Sequence, residues 1–96
     1  VSRISWSPQA LRELEAIRDY IAVDSPRYAE LVVDRIVAAA ERLQAFPDSG
    51  RVVPERNDPQ IREVIVRPYR VVYRHRADEV EIATVFRGSR LLPDIG

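Results

Sequence analysis

The sequence predicts an α+β fold, a two-layer sandwich in the order β-α-α-β-β-β(-β) with a helical hairpin on one face of a mainly antiparallel sheet. Three observations carry this. Two stretches with apolar residues at helical spacing follow one another between Pro8 and Phe46, each opened by Ser-Pro. Three short runs rich in β-branched and aromatic residues, Ile61 to Val66, Tyr69 to His75 and Val80 to Phe86, are parted only by Arg67-Pro68 and Ala77-Asp78, the pattern of an antiparallel meander. A chain of 96 residues has room for one core, so residues 1–96 read as a single domain.

The chain opens with a short alternating run, Ile4 and Trp6 against Arg3 and Ser5, which reads as a strand. Ser7-Pro8 supplies an N-cap followed by proline at the first helical position, where its missing N–H costs nothing. Leu11, Leu14, Ile17 and Ile21 then share one side and Arg12, Glu13, Glu15 and Asp19 the other, giving an amphipathic helix from about Pro8 to Val23 whose charges read as a solvated face. Asp24-Ser25-Pro26 repeats the start signal. The second stripe is Ala29, Val33, Ile36, Ala40 and Leu43, and so short a connection makes an antiparallel hairpin. Pro47-Asp48-Ser49-Gly50 ends that helix, Arg51 to Glu55 reads as a brief edge strand, and Arg56-Asn57-Asp58-Pro59 is a further turn.

Within the meander, setting Arg74 opposite Glu81 puts Tyr69, Val71, Tyr73, Val80, Ile82, Thr84 and Phe86 on one face, and Arg70, Val72, Arg74, Glu81, Ala83, Val85 and Arg87 on the other. For the first hairpin, the register that places Val64 and Val66 in the core is preferred, because the alternative buries Glu63. Two helices with one stripe each cover one face, so the second face is expected to stay open and lined by cations.

Composition narrows the function. The apolar share of 46% is that of a folded protein, there is no cysteine, and His75 is the lone histidine, so neither disulfides nor a protein-only metal site is expected, and no cofactor. No signal peptide or membrane span is legible, which reads as a soluble cytoplasmic protein without a membrane partner. All fifteen basic residues are arginine and net charge is zero. Five arginines between Arg62 and Arg76 stand against Glu63 alone, which points to an anionic partner, while zero net charge argues against non-specific coating of nucleic acid.

With the element order in hand, particular stretches become recognisable: Trp6-Ser7-Pro8-Gln9-Ala10, Asp19-Tyr20-Ile21-Ala22 with Ser25-Pro26, Phe46-Pro47-Asp48-Ser49-Gly50-Arg51, Ile61-Arg62-Glu63, Tyr69-Arg70-Val71-Val72-Tyr73-Arg74, and Val85-Phe86-Arg87-Gly88-Ser89-Arg90. In this order and spacing the chain resembles the RelE/ParE superfamily of type II toxin–antitoxin toxins, and the ParE-like branch more than the RelE-like one. The resemblance implies a RelE-like fold and a toxin that arrests growth or stabilises a plasmid and is neutralised by a co-encoded antitoxin. It implies either inhibition of DNA gyrase, as in ParE-like members, or ribosome-dependent, metal-free cleavage of mRNA, as in RelE-like ones. A non-toxic antitoxin-binding relative is a third reading. No sequence-specific DNA binding is expected of the toxin alone.

Metal-free RNA cleavage needs a proton acceptor for the 2′-OH, a donor for the leaving oxygen and cations on the phosphate. If the chain is a nuclease, the resemblance assigns Arg70, Arg87 and Arg62 to that work. Arginine stays protonated at neutral pH, no lysine exists, and Asp94 lies where nuclease members often carry a tyrosine. This departure favours a protein-inhibiting toxin over an enzyme. The residues expected to meet a partner are Arg70, Arg74, Arg87 and Arg90, with the apolar tail Leu91-Leu92. The plainer alternatives are cross-strand pairing of Arg70 and Arg74 with Glu63 and Glu81, tail anchoring by Arg87 and Arg90, a turn histidine at His75, and core positions for Tyr69 and Tyr73. Trp6 reads as a core residue or an antitoxin contact.

Overall fold

Ser7 shows how local chemistry sets the architecture. In the computed structural model, which describes residues 1–96, its side chain accepts from the Ala10 N–H at 3.0 Å and caps helix α1, Pro8–Ala22. Its own N–H and hydroxyl meanwhile donate to the carbonyls of Ile82 and Ala83. The residue that follows strand β1, Arg3–Trp6, thus starts the helix while still pinned to the sheet. Ser25 repeats the cap for α2, Pro26–Glu41, by accepting from the Tyr28 N–H. A 3-10 turn, Arg42–Gln44, prolongs the stripe to the buried Leu43.

The other strands are β2, Arg51–Val52, β3, Ile61–Val66, β4, Tyr69–Arg76, and β5, Glu79–Arg87, and the sheet order is β1-β5-β4-β3-β2. β1 runs parallel to β5 and all other pairs are antiparallel. β2 stops short of the Arg51 to Glu55 expected for it, because Pro54 has no N–H to continue a ladder. No helix is long and apolar enough to cross a membrane.

The helix-side core joins Ala10, Val32, Ile36, Ala40 and Leu43 to Tyr69, Val71, Tyr73, Val80, Ile82 and Val85. Arg74 lies opposite Glu81 as expected, and Val64 and Val66 pack against this core. Two features of the sheet differ from the sequence reading. Val72 pairs with Thr84 and Tyr73 with Ile82, so Ala83 is a β-bulge. Beyond it the alternation is shifted by one residue: Val85 joins the helix-side core and Phe86 the opposite face.

The opposite face is also not open. Val53, Ile61, Val72, Ala83, Phe86 and Ile95 form a second cluster with Leu92 against it. Irregular chain supplies this cover, from the segment after β2 and from the C-terminal tail. Here Glu63 is buried even though Val64 and Val66 face the helices, the outcome the preferred register was meant to avoid.

Candidate functional site

Glu63 tolerates burial because it is paired on both oxygens. Arg70 Nε donates to one oxygen and Arg51 Nε to the other, each at 2.6 Å. Both terminal nitrogens of Arg70 bond the two oxygens of Glu55 at 2.8 Å, a bidentate fork. The guanidinium also stacks over Phe86, 5.0 Å from the ring centroid, an aromatic partner that the bulge delivers. Arg70 is 9% exposed, and these hydrogen bonds, first those it donates to Glu55, raise its pKa further above the ordinary arginine value.

The same fork holds the Glu55 carboxyl at about 2, below its ordinary 4.5, chiefly through the hydrogen bonds from Arg70. A depressed folded-state pKa contributes stability above the unfolded value, and that contribution is lost as pH falls through the folded one. Unfolding free energy is therefore expected to lose the Glu55 contribution as pH falls from 4.5 towards 2. Urea titrations of wild type and Glu55→Gln across that window should converge at the acid end, and parallel curves would contradict the assignment. The partly exposed position of Glu55 makes this contribution small.

The three arginines assigned to a nuclease centre do not converge. Arg62 pairs across β4 with Tyr73 and Arg87 with Tyr69, both on the helix side, whereas Arg70 lies on the other face with Glu63. Arg62 is tied to the Pro59 and Gly50 carbonyls at 3.0 Å and to Asp48. His75 bridges Asp48 and the Ala77 carbonyl through its two ring nitrogens.

The six residues expected to meet a partner are likewise split. Arg70 and Arg74 lie on the second face and are held internally, Arg74 by Glu81 and by the oxygens of Ile95 and Gly96. Leu92 packs on the second cluster. Arg87, Arg90 and Leu91 come together in a groove of 670 Å³ between α1 and the end of β5. One wall is Glu13, Ala16, Ile17 and Tyr20 of α1, the floor is Tyr69, Val85, Phe86 and Arg87, and the far wall is Arg90, Leu91 and Pro93. Tyr20 is 79% and Leu91 89% exposed on its rims. Arg87 lies 5.9 Å from the Tyr69 ring centroid, and neither Arg87 nor Arg90 has a carboxylate within salt-bridge distance.

The groove exists because β1 is short. Its last residue, Trp6, pairs with Ile82, so β5 continues without a strand on that side. Glu13 stands in for the missing strand: one carboxylate oxygen accepts from the Thr84 hydroxyl at 2.7 Å and the Val85 N–H at 3.0 Å, and the other accepts from Gln9. The sequence reading placed Glu13 on a solvated face. Its position one turn before Ile17 on the apolar side was the available signal.

Three comparisons bear on what this arrangement belongs to. Residues 4–92 match the family model described as ParE toxin of type II toxin-antitoxin system, parDE. A putative toxin, Y4kP, of Sinorhizobium fredii is 40% identical over 97% of this chain and 95% of its own length. Toxin RelE2 of Caulobacter vibrioides is 34% identical over 95% of this chain and all of its own. Among solved structures, a chain of the chromosomal ParDE toxin–antitoxin system from P. aeruginosa superposes with a TM-score of 0.74 and 26% identity, covering 90% of this chain and 95% of that one. A capped helical hairpin on a five-stranded sheet, matched along nearly its whole length by toxins, leaves one assignment: the chain belongs to the ParE toxin family of type II toxin–antitoxin systems.

Proposed function

We propose that this toxin acts by inhibiting DNA gyrase, and that a segment of its antitoxin occupies the groove between α1 and β5. The observation that carries the first part is the state of Arg70. A nuclease reading needs that guanidinium on the scissile phosphate, but all three of its nitrogens bond Glu55 and Glu63 inside the fold. Arg62 and Arg87 lie away from it, and the one histidine, His75, is held between Asp48 and the Ala77 carbonyl at the far end of β4 from Arg70 and Arg87. Electrostatic help without proton transfer makes a poor ribonuclease.

The groove supports the second part. Ile17, Tyr20 and Leu91 offer apolar surface, and the unpaired Arg87 and Arg90 at its edge offer charge, a combination suited to a peptide with an apolar face flanked by carboxylates. Messenger RNA cleavage is the second reading, favoured by the relative named RelE2.

One experiment separates the readings. Toxin freed from its antitoxin is added to purified gyrase with relaxed plasmid, and in parallel to a translating extract in which message ends are mapped. Loss of supercoiling with unchanged message ends is expected, and antitoxin should reverse it. New message ends with normal supercoiling would overturn the gyrase assignment in favour of cleavage.

A further inference from the structure

The far wall of the groove has little to hold it. Residues 91–96 have no secondary structure and make no backbone–backbone hydrogen bond, yet Leu91 and Pro93 line the groove. Upstream, the turn after β5 is fixed by the Gly88 N–H on the Pro68 carbonyl at 2.8 Å and the Arg90 N–H on the Arg87 carbonyl at 3.0 Å. Downstream, the anchor lies on the opposite face of the sheet. Arg74 Nη2 donates to the Ile95 carbonyl at 2.5 Å and to a Gly96 oxygen at 2.9 Å. The Ile95 side chain, 9% exposed, is inserted into the second cluster. Residues 91–94 are therefore strung between two fixed points, one at each face, with only the partly buried Leu92 side chain packing on the second cluster between them.

We infer that Arg74 and Ile95 are positioning residues for the partner groove: by clamping the tail to the second face they hold Leu91 and Pro93 opposite α1, in a place the partner itself does not touch. The inference rests on reading the groove as the antitoxin site. A wall already ordered has less conformational freedom to lose when a partner binds, so releasing the clamp weakens binding without removing a single contact residue. It also gives Arg74 a different task from the direct contact expected of it on sequence.

The test uses full-length toxin variants purified with the co-encoded antitoxin protein, separated, and titrated against that same antitoxin by calorimetry. Arg74→Ala and Ile95→Ala are each expected to raise Kd about tenfold, and NMR relaxation should show residues 91–94 becoming mobile while the helices and sheet stay ordered. Ile95→Val should restore the wild-type Kd, and Arg76→Ala, an exposed neighbour on the same strand, should leave it unchanged. Leu91→Asp, placed on the wall itself, should weaken binding without mobilising the tail.

If the tail loosens in both clamp variants and Kd stays at the wild-type value while Leu91→Asp weakens binding, the clamp is structural only and the groove reading stands. If Leu91→Asp also leaves Kd unchanged, the groove is not the antitoxin site and both readings fall. Should Arg74→Ala not fold, Ile95→Ala decides alone, because it alters only the tail's side of the clamp.

Discussion

Glu63→Ala is expected to destabilise the fold by about 3–5 kcal/mol, measured by urea unfolding followed through the single tryptophan, Trp6. The carboxylate is fully buried and flanked by two guanidiniums. Removing it deprives Arg70 of its Nε acceptor in a place where water does not replace it. Arg51, whose side chain is 62% exposed, turns to solvent at little cost, so the penalty falls on Arg70. Arg70→Ala is expected to cost a similar amount, since it leaves one oxygen of the buried Glu63 without a donor and only Arg51 to balance the charge. Because both substitutions break one network, the double variant should cost clearly less than the two single changes added together. A Glu63→Ala penalty below about 1 kcal/mol, the range of surface pairs, would mean that the network is not held as described. It follows that loss of toxicity in Arg70→Ala is no evidence for catalysis, because the fold is weakened at the same time.

Tyr73→Ala should also cost about 3–5 kcal/mol, as for other large aromatic truncations, and here the comparison with Tyr73→Phe is the informative part. The ring is wholly buried in the helix-side core, and its hydroxyl donates to the Pro47 carbonyl at 2.7 Å and accepts from the Gly50 N–H at 3.1 Å. Burial pushes the phenol pKa up, so the hydroxyl keeps its proton and serves as donor and acceptor at once. Tyr73→Phe leaves the Gly50 N–H without an acceptor and is expected to cost about 1–3 kcal/mol. Thermal unfolding of both variants separates hydroxyl from ring, and a Tyr73→Phe variant as stable as wild type would show that the hydroxyl does nothing. Gly50 is there because the approach is so close: a Cβ would stand 2.6 Å from both the Glu63 carbonyl oxygen and the Tyr73 hydroxyl.

The helices and the meander were legible because each is written in local chemistry. Ser7-Pro8 and Ser25-Pro26 are complete start signals, and the stripe from Ala29 to Leu43 has one period throughout. The Arg74–Glu81 register followed from the two-residue turn. The bulge was not legible, since Val80 to Phe86 is apolar at most positions and no residue type marks Ala83 as the extra one. Nor was the cover on the second face, because Leu92 and Ile95 lie in a segment without period and the two partners of Glu63, Arg51 and Arg70, arrive from different stretches of chain. Burial of a charge is decided by what meets it, and that is a property of the assembled fold. Of the residues expected to meet a partner, Arg87, Arg90 and Leu91 do lie together. Glu13, which completes the groove with Tyr20, read as solvated helix surface until the strand opposite it was seen to be unpaired.

The extra residue at Ala83 bears on how knowledge passes between relatives. Everything from Val85 onward is presented in inverted phase, so a cousin lacking that one insertion would show the same letters to opposite surroundings. In such a cousin, the counterpart of Phe86 would look toward the hairpin and that of Val85 would lie beside the buried ion network. A role assigned by column in an alignment is therefore transferable past this point only after the strand's parity has been checked.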